Sequence, residues 1–97
     1  MTAAELIHHE KRCAQLGLDA YCAYLQAGEY KRLGERFAGL ARSSADPIVR
    51  VAAAELVRWM KQEQLEAEAR VDKANAERLA LTTAWNQRPD TATMRQR

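Results

Sequence analysis

Few side chains in this sequence could do chemistry, and most of them lie near its start. Glu5 and His8 have the Glu-x-x-His spacing that places two ligands on one helix face, as dinuclear iron sites use. Such a centre needs a second Glu-x-x-His pair and two further carboxylates, and no histidine follows His9. A polar first helical turn, with Glu5 favoured by the helix dipole, accounts for the pair more simply. His9 and Cys13 stand four apart and could share a zinc ion, but the helix between them and Cys22 carries that third ligand away. On an apolar helix face, Cys13 and Cys22 read as small core residues, and nine residues of separation is too long for a disulfide within one helix. Neither a metal site nor a cofactor is expected.

Nucleophilic catalysis lacks its parts. Ser43 and Ser44 are the only serines, and they sit where turn and capping chemistry explains them. Gly28, Gly34 and Gly39 are scattered and form no phosphate-binding loop. The chain is therefore expected not to be an enzyme. Arg32, Arg36, Arg42, Arg50, Arg58 and Lys61 are a different matter. With Lys31 they give residues 30–61 a local excess of +4, set against Glu35, Asp46 and Glu55, and they are candidate contacts to a phosphate backbone. A helix-turn-helix reading of residues 33–58 fails, because the turn is long and the helix after it is mostly apolar where base edges need polar groups.

These residues have to be positioned by helices. Thr2 followed by Glu5 is a capping-box pattern, so a helix is expected to begin at Ala3. Ile7, Ala14, Leu18, Tyr21 and Leu25, with Cys22 beside them, trace one apolar face up to about residue 27, and Gly17 is a candidate bend. Gly28 has the type expected of a left-handed residue that closes a helix. Tyr30, Leu33, Phe37, Leu40 and Ala41 then predict a second, shorter amphipathic helix. Ser43, Ser44, Ala45, Asp46 and Pro47 supply a turn, an N-cap oxygen and a proline in the first helical position, the strongest local signal in the chain.

No glycine or proline follows Pro47 until Pro89, which predicts a third helix over about residues 46–87, on the order of 60 Å long. Its first part is apolar nearly all round. A heptad-like seam runs through Val49, Ala53, Leu56, Met60, Ala67, Val71, Ala74, Leu81 and Trp85, interrupted by Gln64 and Arg78. A helix that instead folds back near residues 62–64 has no turn residue to mark the break. The tail, residues 88–97, is polar and is expected to be disordered.

Asp46, Pro47, Val49, Arg50, Ala53 and Leu56 resemble the turn and second helix of a HEAT-type repeat, a likeness confined to residues 30–60. The resemblance implies a helical hairpin. No second copy is present to stack on it, and a solenoid needs several.

Length and composition set the bounds. The 97 residues allow one domain and one modest core. Alanine makes up about a fifth of them, and Leu, Glu, Arg, Gln and Lys supply most of the rest, so helix is favoured throughout. The net charge of +2 by itself implies neither a nucleic-acid nor a membrane partner, and no stretch is long and apolar enough to span a bilayer. Without a signal-peptide pattern at the start, a cytoplasmic location is expected.

The sequence thus predicts an all-α fold with two amphipathic helices and one long C-terminal helix. A core over residues 3–60 and a projecting helix over 61–87 would make up a single domain, residues 1–87. The expected function is non-enzymatic protein–protein interaction or assembly, as a homodimer or as a subunit, adaptor or inhibitor of a larger complex. Met60, Ala67, Val71, Ala74, Leu81 and Trp85 would meet the partner, small Ala67, Ala74 and Ala84 would let backbones approach, and flanking charges from Glu63 to Lys73 would set orientation. The alternative is a nucleic-acid-associated subunit that touches phosphates through the basic segment.

Overall fold

The structure, a computed structural model, describes residues 1–91. Two helices of nearly equal length, α1 (Ala3–Ser43) and α2 (Pro47–Asn86), pack antiparallel as a single hairpin. The result is a rod measuring 68 × 18 × 17 Å. A short helical turn over residues 89–91 follows α2.

Both helix starts that carry a capping signal in the sequence are present. Thr2 Oγ1 accepts the Glu5 backbone N–H at 3.1 Å, and Asp46 Oδ1 accepts that of Ile48 at 2.9 Å with Pro47 in the first turn. At the end of α1 the Ser44 N–H donates to Leu40 O, and Ser44 Oγ accepts the Asp46 N–H. The polar run 43–46 thus satisfies both helix ends within a tight connection.

Where two helices were expected before this turn, there is one. Gly28 lies inside α1, and no glycine among the described residues has a positive φ. A lone glycine costs a helix roughly 1 kcal/mol relative to alanine, which pairing along the whole of α2 outweighs. The seam explains the continuity. On α1 one column recurs every seven residues through Cys13, Ala20, Ala27, Gly34 and Ala41, beside a second through His9, Leu16, Ala23, Tyr30 and Phe37. Both run past Gly28 unbroken, and all these residues are buried or half-buried. On α2 the facing columns are Ala53, Met60, Ala67, Ala74 and Leu81, beside Val57, Gln64, Val71, Arg78 and Trp85.

Strict sevenfold spacing on both helices is the pattern of a left-handed coiled coil. Its knobs are small. Of the eight buried hydrophobic residues among those described, six are alanine, joined by Leu16 and Met60, so the backbones can lie close together. A Cβ built on Gly34 would sit 3.5 Å from Met60 Cβ, so the one long buried side chain of α2 is received by the glycine opposite. The expected seam needs one local change. Val57 takes the inner position, while Val49 and Leu56 lie on the rim and are exposed.

The distal half of α2 does not project, as had been expected of residues 61–87. The helix read as ending near residue 27 is part of a 41-residue partner long enough to cover all of α2. Residues 88–91 are also held in place, against the expectation of a disordered tail. The rest of that tail, residues 92–97, lies outside the described residues.

Candidate protein interface

The residues expected to meet a partner along α2 are placed against α1. Ala67 is fully buried, Met60 and Ala74 nearly so, and Val71 and Leu81 are half-buried in the seam. Trp85 stacks on His9 with ring centroids 4.1 Å apart and planes 11° from parallel. Ala84, expected to allow close approach, is exposed.

His9 and Trp85 anchor a cluster that closes the open end of the hairpin. The Arg88 guanidinium carbon lies 4.8 Å from the Trp85 ring centroid, within cation–π range. Arg88 also donates to Glu5 Oε2 at 2.6 Å and to both carboxylate oxygens of Asp90. The Met1 amino group is 2.6 Å from Asp90 Oδ2. Thr91, almost fully buried, directs its hydroxyl at the carbonyls of Trp85 and Arg88. The hydrogen bond from Arg88 holds the Glu5 carboxyl below its ordinary pKa, and those from the amino terminus and Arg88 do the same for Asp90. Arg88 is correspondingly raised, chiefly by Glu5.

This cluster also absorbs the residues considered as ligands. His9 Nε2 lies 3.6 Å from Cys13 Sγ, but the ring is covered by Trp85, and Glu5 is engaged by Arg88 rather than facing His8. Cys22 is exposed elsewhere on α1. Among the described residues no three His, Cys, Asp or Glu side chains gather at one point that could hold a metal ion. No helix among them is long and apolar enough to cross a membrane.

The basic candidates all lie in the turn half of the rod and all are exposed. Arg32 pairs with Glu29 and Arg58 with Glu55, each three residues away on its own helix. Arg32 and Lys61 line a groove between the two helices, Arg42 and Arg58 share the heptad columns of Gly28 and Asp72 beside it, and Arg36 and Arg50 lie in other columns.

One exposed apolar surface is the face that sequence periodicity pointed to as the inner side of the first helix. Ile7, Leu18, Tyr21 and Leu25 are 54%, 63%, 60% and 48% exposed, and Ala14 and Cys22 are exposed with them. They lie outside because α1 turns its alanine columns, not its bulkier stripe, toward α2. Tyr24, Leu65 and Leu79 are exposed as well.

The two flanks of the hairpin differ. One is laced across by Arg12 to Glu77 at 3.3 Å and Arg70 to Gln26 at 3.0 Å. The other is an open groove lined by Tyr24, Gly28, Lys31, Glu68, Val71 and Asp72 that continues past Lys61 to Ala38 and Val57. Seven-residue recurrence puts Ile7, Ala14 and Tyr21 in the column of Gly28, and Leu65 and Leu79 in that of Asp72, on the groove side. Neither a protein-family model nor any curated protein or solved structure that the chain was compared with matches it.

Proposed function

We propose that this chain is a non-enzymatic interaction or assembly protein that works through the exposed apolar side of its helical hairpin. One observation carries the reading. Among the described residues fourteen large hydrophobic ones are more than a third exposed, while the buried seam is mostly alanine. Methyl groups contribute little transfer free energy, about 0.8 kcal/mol per buried CH2-sized group. A hairpin with its larger apolar groups in water gains by covering them. The photo-crosslinking amino acid benzoylphenylalanine, placed at Leu18 or Tyr21 in cells, tests this. Adducts are expected there and not at Lys73 on the charged flank; no adduct at either apolar position removes the reading.

A second reading is favoured by the concentration of Lys31, Arg36, Arg42, Arg50 and Lys61 in the turn half. As a nucleic-acid-associated subunit, the rod would touch phosphates with that end. Titration with duplex DNA and with RNA at two salt concentrations decides it. A steep salt slope supports the contact, and no binding at low salt eliminates it.

A further inference from the structure

We propose that the occupant of the apolar groove side is a second copy of this chain, lying antiparallel on the first so that two hairpins form a four-helix assembly. This rests on the interaction reading above and names its partner.

Charge along the rod sets the direction. The turn part, residues 30–61, carries a side-chain charge of +4, and the open part, residues 1–29 and 62–91, carries −4, which Arg95 and Arg97 of the tail reduce to −2 over the rest of the chain. The hairpin brings each set together at one end, although the two acidic segments are far apart in sequence. Two rods side by side in parallel would set like against like along their length. Turned end for end, each basic turn lies over the acidic open part of the other copy, and the pairing is self-complementary, as a two-fold interface requires.

The choice of side follows from the flanks. On the laced side Arg12, Glu77, Arg70 and Gln26 already satisfy one another, and covering them would desolvate charge. On the groove side Ile7, Tyr21, Tyr24, Leu65 and Leu79 are exposed, and Ile7 with Tyr21, like Leu65 with Leu79, stand two heptads apart, so a second pair of helices with the same period can follow them. Size is sufficient too. A face 68 Å long and 18 Å wide offers on the order of 1,000 Å², against about 800 Å² per partner in a standard interface.

Sedimentation equilibrium of the full chain between micromolar and millimolar concentration is expected to show twice the 11.0 kDa chain mass. Tyr21→Glu should weaken the association at least tenfold, while Gln15→Glu on the opposite flank leaves it unchanged. Circular dichroism of Tyr21→Glu at low concentration confirms that the hairpin remains helical. Should that variant fail to fold, salt provides the second measurement, since raising it must weaken an association aligned by opposite charges. Orientation is read by spin labels in a Cys13→Ala, Cys22→Ala background. Labels at Ala45→Cys, in the turn, should lie about 60 Å apart between copies, the length of a 40-residue helix. Labels at Ala69→Cys, near mid-rod, should be much closer together. Short distances at both sites mean a parallel dimer and overturn the proposal. A strict monomer overturns it too, and if cellular adducts at Leu18 or Tyr21 then carry a different protein, the interaction reading stands without the second copy.

Discussion

Ala67 and Gly28 show how much depends on side chains that are nearly absent. Ala67 is the most deeply buried residue of the seam. Ala67→Leu inserts three carbons where neither backbone can withdraw without disturbing every neighbouring layer, so it is expected to destabilise the hairpin by about 1–3 kcal/mol in urea unfolding. Gly28 gives the opposite result. It is helical, and a Cβ there would meet nothing within 4 Å. Gly28→Ala should therefore stabilise by about 0.5–1 kcal/mol and raise the melting temperature by several degrees. A helix-closing glycine in the left-handed region would instead lose stability on the same change, so the sign of the shift tests the continuity of α1.

At the scale of the element, the end of the hairpin opposite the turn is held by contacts that depend on ionised carboxylates. Glu5 and Asp90 titrate lower in the folded chain than they do unfolded. Their stabilising contribution is therefore complete above the ordinary carboxylate range and is lost as pH falls through the depressed values. Hydrogen exchange between about pH 5 and pH 2 should show backbone amides near Trp85 and Arg88 losing protection before those around Ala67. Arg88→Ala should remove most of that difference by weakening the end at every pH. If the two regions lose protection together, this cluster is not an independent clamp. Its parts were only partly visible beforehand. Thr2, Glu5, Asp46 and Pro47 announced the helix starts because capping is a local matter of a few adjacent atoms. The meeting of Glu5 with Arg88, 83 residues apart, depends on how the two helices align.

For the whole molecule, the all-helical character and the long second helix could be read from composition and from the absence of glycine and proline between Pro47 and Pro89. The number of helices could not, and neither could the inner face of the first. Ile7, Ala14, Leu18, Tyr21 and Leu25 outweigh Cys13, Ala20, Ala27, Gly34 and Ala41 on any hydrophobicity measure, yet it is the smaller set that faces α2. The strict seven-residue recurrence was present in the sequence, but alanine is common enough on every face of this chain to hide it. Gly28 resembled a stop because glycine often is one. Glu29 and Tyr30 after it bring no cap, turn or proline, whereas residues 43–47 bring all three.

The seam of small residues also makes the rod's length a separable quantity. Between Ala20 and Ala27 on α1, and between Ala67 and Ala74 on α2, each turn of the repeat presents nearly the same surface as the next. Alignment is fixed elsewhere, by the short turn, by Met60 opposite Gly34 and by His9 against Trp85. Adding one heptad to each helix at these alanines should yield a folded hairpin longer by about 10 Å at 1.5 Å per residue, detectable by small-angle scattering. A heptad added to one helix alone would force the middle to slide or the ends to part, with loss of cooperative unfolding. Built this way, the hairpin is a ruler graduated in heptads, and its span can change without altering what either end presents.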